Sequence, residues 1–122
     1  MHAPPWKFVD RIVETNADSA RAEKCVSIDD PLGGSALMLI EALAQTAAAL
    51  GTSERGVHQG YLAAVSNFQF FRSPLPGDRV ELRASRTQTL GTLQRFLGEA
   101  RVDGKVVASG ELTFSLHSSA ST

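Results

Sequence analysis

One carboxylate in this sequence stands where carboxylates are seldom found. Glu41 lies inside Leu39-Ile40-Glu41-Ala42-Leu43-Ala44-Gln45, with apolar residues on both sides. A carboxyl among apolar side chains is desolvated, which favours its neutral, proton-donating form. An unpaired buried charge is costly, so a carboxyl in such a run suits a general acid better than a purely structural role. Gln45 follows Glu41 by four residues, one helical turn away on the same face. Its amide can orient Glu41 or bind a ligand oxygen, or it can make a polar contact with an opposing subunit. The chain holds three histidines, His2, His58 and His117. Two lie near the ends; His58, between Ser53 and Gly60, is the one that can reach a site, and its plain alternative is a solvated loop residue. The single cysteine, Cys25, excludes an internal disulfide framework and a Cys-rich zinc site. It reads as a small core or interface residue rather than a nucleophile. Asp29-Asp30 ahead of Pro31-Leu32-Gly33-Gly34 reads as turn chemistry, not as a cation site. Gly33-Gly34 lacks the Lys-Ser/Thr and the glycine spacing of a phosphate loop. No metal and no cofactor are expected.

The elements that must carry these residues can be read from pattern. From Ser35 to Leu50 the chain is rich in Ala, Leu, Met, Glu and Gln, all strong helix formers. Ser35 is placed to cap this helix, and Gly51 falls where a left-handed terminating residue belongs. Apolar residues occupy nearly its whole circumference, which predicts a buried helix rather than one with a wet face. The rest alternates with a period of two. Val106, Ala108, Leu112, Phe114 and Leu116 interleave with Ser109, Glu111, Thr113 and Ser115. Asp103-Gly104 is a hairpin turn, so a partner strand is expected over Thr92–Val102, with Phe96, Ala100 and Val102 on one face. Val80, Leu82 and Ala84 mark another strand. Leu62, Ala64, Phe68 and Phe70 share a face over Tyr61–Phe71, and Pro74–Asp78 turns between the two. Phe8–Glu14 and Ser19–Ile28 complete the set, joined near Asn16-Ala17-Asp18.

Length and composition are consistent with this. The 122 residues make one domain, residues 1–122, of which 43% are hydrophobic and 20% charged. The net charge of -1 argues against a nucleic-acid binder working through a basic field. The longest apolar stretch, Ala36–Leu50, falls short of the roughly 20 residues a membrane span needs, and the N-terminus has no signal-like apolar region. A cytoplasmic protein without membrane contact is expected. A single apolar helix needs wrapping, and an antiparallel sheet of about six strands supplies it, an α+β arrangement. Six strands leave open edges, so pairing with a second copy is expected.

These segments, taken together, resemble a family. Phe8–Glu14 resembles the N-terminal motif of the hot-dog-fold 3-hydroxyacyl-[acyl carrier protein] dehydratases (FabZ/FabA-like). Leu39–Gln45 resembles the helix motif that carries that family's acidic catalytic residue. Phe70-Phe71-Arg72-Ser73-Pro74-Leu75-Pro76-Gly77-Asp78 is similar to its strand-to-turn signature, and Val102–Ala108 to its last hairpin. The four occur in the family's order over nearly the whole chain. One part departs. Family members carry His-Phe-Pro-Gly between the second strand and the helix, and its histidine is the catalytic base. Here Asp29-Asp30-Pro31-Leu32-Gly33-Gly34 runs almost directly into the helix with no histidine. Some hot-dog proteins of polyketide-like and aryl-polyene pathways look similar here, keeping the helix motif and losing the histidine.

The resemblance implies a site made of Glu41 as acid and Gln45 beside it, with His58 as a remote candidate base. The family's Pro-Gly at the helix start falls near Ser35-Ala36, so its carbonyl-polarising glycine is not matched; Gly33, Gly34, Ser35 and Ala36 are candidate substrate-binding residues because free N–H groups at a helix N-terminus suit an enolate-like oxygen. Arg11, Arg72 and Arg79 can meet phosphopantetheine or an acidic carrier protein, although lone arginines usually just solvate a surface. Three functions follow. The first is an acyl-thioester-binding protein of the dehydratase family, acting on acyl groups of acyl carrier protein or coenzyme A, weakly or with a partner. The second is a hot-dog thioesterase using Glu41 to activate water or attack the thioester. The third is a non-catalytic subunit that supports a histidine-bearing hot-dog protein as a heterodimer.

Overall fold

The computed structural model describes residues 9–30, 33–53 and 58–118. Six strands and one helix follow in the order β1 (Arg11–Thr15), β2 (Ser19–Cys25), α1 (Ala36–Ser53), β3 (His58–Phe70), β4 (Arg79–Leu90), β5 (Leu93–Val102) and β6 (Lys105–Ser118). All pair antiparallel in one sheet, in the spatial order β1-β2-β4-β5-β6-β3. The sheet curls around α1: this is the hot-dog arrangement, with β1 and β3 at the open edges.

The period-two reading holds best in the middle of the sheet. Val80, Leu82 and Ala84 of β4 are buried with Phe96, Ala100 and Val102 of β5. Facing them from the helix are Met38, Leu39, Ala42, Leu43, Ala47 and Leu50. The turns have the expected chemistry. Asp103 and Gly104 both adopt positive φ, 52° and 79°, as a two-residue hairpin requires. Asn16 Oδ1 accepts hydrogen bonds from the Asp18 and Ser19 amides, closing β1 onto β2.

Several expectations are corrected. Gly51 does not end the helix, which continues to Ser53; a glycine weakens a helix by about 1 kcal/mol without stopping it. β2 ends at Cys25 rather than Ile28, because the Asp30 carboxylate accepts the Ser27 amide and turns the chain. Cys25 is exposed, not a core residue, since the core-facing phase of β2 is Ala20, Ala22 and Lys24. In β6 the register shifts after the hairpin, so that Val107, not Val106, is fully buried. β3 carries two irregularities, between Leu62 and Ala64 and between Ser66 and Gln69. They break the expected shared face: Leu62 and Phe68 pack on the core, whereas Ala64 and Phe70 are exposed. Phe8 and Leu116 lie outside the residues whose side chains are described.

Candidate functional site

The helix is buried on one side only. Met38, Leu39, Ala42, Leu43, Thr46, Ala47 and Leu50 face the sheet and are buried. Leu37, Glu41, Ala44, Gln45 and Ala48 recur at helical spacing on another stripe and are exposed or half-buried. Leu37, at 53% exposure, is the most open large apolar side chain on it. The expectation of a fully enclosed helix is therefore corrected: a single chain covers one side of α1, and Glu41 and Gln45 sit together on the other. β3, which also packs against α1, is an edge strand whose outer flank has no partner strand in the sheet. Ala44 of α1 and Leu62 and Phe68 of β3 are half-buried and pack against the same core cluster. Val65, Phe70 and Phe71 remain exposed on and just beyond β3.

The N-terminal end of α1 is fixed from three directions. Ser35 Oγ accepts the Met38 amide at 3.1 Å, the expected N-cap. Ser73 Oγ donates to the Gly34 carbonyl at 2.7 Å, tying the turn after β3 to the residue before the cap. Gly34 lies so close to the Pro74 carbonyl that no Cβ fits there. Gly33 takes a left-handed φ of 58°. Gly33, Gly34, Ser35 and Ala36 thus form the approach to the helix end, while Pro31 and Leu32 lie outside the described residues.

The third fixing point is a lysine that sequence reasoning missed. Lys24 is in phase with Ala20, Ala22 and Val26 on the core side of the sheet, and only 7% of its side chain is exposed. Its Nζ donates to Asp30 Oδ1 at 2.9 Å and stands 4.0 Å from Asp10 Oδ1. Asp30 Oδ2 also accepts the Ser27 amide at 2.6 Å, and Asp10 Oδ2 accepts the Cys25 amide at 2.7 Å. Burial alone pushes the Asp30 carboxyl up, but the hydrogen bonds from Lys24 and Ser27 and the Lys24 charge outweigh it and hold the carboxyl below its ordinary value. The cluster joins the approach to β1, the end of β2 and the loop before α1. The available signal was a lysine at the apolar phase of an alternating strand.

Other candidates fall elsewhere. His58 opens β3, opposite Ser118; its side chain lies outside the described residues. Glu41 is about 18 Å along the axis from the last helical residue, Ser53, at a rise of 1.5 Å per residue, and His58 follows that residue by five positions in sequence. His2 and His117 also lie outside the described side chains. Arg72 is half-exposed beside Asp78, at 3.8 Å, near the turn that abuts Gly34. Arg11 pairs with Glu23, and Arg79 lies exposed at the start of β4. The far face of the sheet carries a ladder of exposed ion pairs in which Arg21 bridges Glu14 and Glu81. An open hollow of about 220 Å³ there, lined by Glu14, Asn16, Ser19, Arg21 and Arg83, is on the opposite side of the sheet from Glu41. Among the described residues no three His, Cys, Asp or Glu side chains gather as metal ligands. No described helix is long and apolar enough to cross a membrane.

With this geometry in place, comparison with known proteins decides the family. Residues 1–121 match the ApeP-like family, described as ApeP dehydratase. The chain belongs to the ApeP-like dehydratase family. This ApeP-like chain is 36% identical to the 3-hydroxyacyl-[acyl-carrier-protein] dehydratase FabZ of Rhizobium rhizogenes, over 91% of its own length and 78% of the relative's. It is 33% identical to the FabZ of Streptococcus thermophilus, over 96% and 91%. Among solved structures it superposes on the dehydratase heterocomplex ApeI:P from Xenorhabdus doucetiae with a TM-score of 0.78 and 15% identity, covering 98% of this chain and 88% of that one. A hypothetical thioesterase from Streptococcus pneumoniae, solved with coenzyme A, gives a TM-score of 0.76 at 12% identity over 88% and 85%. The structural likenesses confirm the hot-dog fold, and the sequence relatives are 3-hydroxyacyl-[acyl-carrier-protein] dehydratases.

Proposed function

We propose that this chain binds acyl thioesters of acyl carrier protein or coenzyme A in the seam between α1 and β3, and that its dehydratase chemistry is completed by a second hot-dog chain. The observation that carries this reading is the open stripe of α1. Glu41 and Gln45 lie half-buried on it, beside an unpaired strand edge and exposed Val65 and Phe70. A second chain laid against this edge desolvates Glu41 and closes an apolar path for the acyl chain. The helix N-terminus, approached through Gly33, Gly34, Ser35 and Ala36, offers partial positive charge to the thioester oxygen.

Elimination of water from a 3-hydroxyacyl thioester breaks the Cα–H and Cβ–O bonds and forms the Cα=Cβ bond. A base takes the α-proton, and an acid protonates the departing hydroxyl so that it leaves as water. Glu41 supplies the acid and Gln45 orients it. No histidine lies between Cys25 and Leu50, so the base comes from the partner, which makes a heterodimer with a histidine-bearing hot-dog protein a better fit than a homodimer. The ApeI:P heterocomplex supports such an assembly.

The test is hydration of a crotonyl thioester by the isolated chain, alongside its His58→Ala and Glu41→Gln variants. The expected result is slow turnover, because a positioned base contributes typically ~10²–10⁴-fold. Robust turnover in wild type and His58→Ala alike refutes the missing base. Turnover abolished by His58→Ala shows that this histidine has taken the role. Thioester hydrolysis that needs Glu41, without hydration, replaces this reading with the thioesterase one.

A further inference from the structure

We propose that Phe68 is the end wall of the acyl path, so that the irregularity in β3 sets the chain length this protein accepts. The inference rests on the acyl-thioester reading above and goes beyond it to substrate class: short acyl chains.

The geometry starts from two glycines paired across the sheet, Gly98 of β5 and Gly110 of β6. Each leaves a notch on the helix side, and each notch is filled. A Cβ on Gly98 would lie 3.3 Å from Leu43 Cδ1 and equally close to Leu112 Cδ1. A Cβ on Gly110 would lie 2.8 Å from Phe68 Cδ1 and 3.0 Å from its Cα. Leu43 and Phe68 thus sit side by side on one cross-strand row, one from the helix and one from the edge strand. Leu43 is fully buried, whereas Phe68 is half-buried in the seam.

Phe68 reaches this row through a defined distortion. The pairing of β3 with β6 slips between Ser66 and Gln69, and Asn67 takes a left-handed φ of 52°. Asn is among the few non-glycine residues that tolerate this conformation. In a regular strand Phe68 and Phe70 would share a face; here Phe68 packs on the core and Phe70 is exposed. The distortion therefore sends a large apolar side chain across the seam, level with Leu43. That point is about 10 Å along the helix from Ala36, at 1.5 Å per residue. An acyl chain whose carbonyl sits at the helix N-terminus and whose tail follows the seam past Glu41 meets Phe68 there.

The test compares the affinities of butyryl-, octanoyl- and dodecanoyl-pantetheine for the wild type, Phe68→Ala and Phe68→Leu, each saturated with the histidine-bearing hot-dog chain that closes the path, with thermal stability measured in parallel. Wild type is expected to bind butyryl-pantetheine and to gain little beyond octanoyl. Phe68→Ala is expected to gain about tenfold for each two methylenes newly admitted, with Phe68→Leu between. A residue that only fills the core would instead lower stability and weaken all three ligands by a similar factor; that outcome, or an unchanged length profile in Phe68→Ala, overturns the wall. Failure of the wild type to bind any of the three refutes the acyl-thioester reading itself.

Discussion

Breaking the Lys24–Asp30 pair should cost far more than breaking any ion pair on the outer face. Each outer pair keeps at least about a third of one partner's side chain exposed, and such pairs contribute about 0–1 kcal/mol each. Lys24 and Asp30 keep only 7% and 15% of their side chains exposed at an Nζ···Oδ1 separation of 2.9 Å. Removing one partner of a buried pair costs about 3–5 kcal/mol, chiefly because the other charge is left unmatched. The two single variants should differ. Lys24→Met leaves Asp30 with the Ser27 amide and some solvent, which sets the cost near the lower end, about 3 kcal/mol. Asp30→Asn leaves a more deeply buried ammonium whose nearest carboxylate is Asp10 at 4.0 Å, which sets the cost above that, about 4 kcal/mol. For a chain of this size, 3 kcal/mol corresponds to a fall in Tm of roughly 12 °C. The double variant Lys24→Met/Asp30→Asn should recover at least about 1 kcal/mol relative to additivity, as contacting pairs do. Chemical denaturation of the four proteins at neutral pH measures all three quantities. The pH dependence has a fixed sign. The Asp30 carboxyl is held below its ordinary value near 3.8, so its contribution is complete above that value and is lost as the pH falls through the lower folded value. Wild type should therefore lose an increment of stability below about pH 4 that Asp30→Asn lacks. Single variants that each cost under about 1 kcal/mol, with no coupling, would refute the role given to this pair.

Gly34→Ala should destabilise by about 3 kcal/mol in the same assay, since a Cβ there runs into the Pro74 carbonyl and either the turn or the helix end must move. Ser35→Ala removes the cap on Met38 and should cost about 1 kcal/mol, with Ser35→Gly milder. Asn67→Gly relieves a left-handed residue at φ 52° and should change stability by less than about 1 kcal/mol in either direction, because easier native geometry is offset by a freer unfolded chain.

Much of this architecture is legible in the sequence because it rests on local periodicity. The alternations in the central strands, the Asp103-Gly104 turn and the Ser35 cap each follow from residues within a few positions of one another. What the sequence hides depends on contacts between distant segments. The slip at Ser66–Gln69 brings Phe68 onto Gly110, more than forty residues away, where any Cβ would run into it. Val107 replaces Val106 in the core because the pairing with β5 slips after the last hairpin. The apolar circumference of α1 suggested burial on all sides, but one chain has only six strands to wrap it, and the stripe through Glu41 and Gln45 stays open. Lys24 shows the opposite failure: its position in the apolar phase of β2 was readable, and its meaning emerged only once Asp30 and Asp10 were found around it. Glu41 stands out in the sequence as a carboxylate in an apolar run and Gln45 by its spacing from it, and the structure puts both half-buried on one stripe of α1. The open stripe and the absence of histidine between Cys25 and Leu50 are what support the proposal that a second chain completes the site.

The central claim is that Glu41 is one half of a site whose other half comes from a second hot-dog chain, and complementation measures it most directly. A histidine-bearing hot-dog dehydratase from the same genome is prepared with its own helix carboxylate changed to glutamine, and this chain is titrated into it while hydration of a crotonyl thioester is followed. Two nearly inactive proteins should together gain about 10²–10⁴-fold, saturating at one chain to one chain, and the Glu41→Gln variant should form the same complex without the gain. A mixture that stays inactive although the complex forms, or one that Glu41→Gln activates equally well, would contradict the claim.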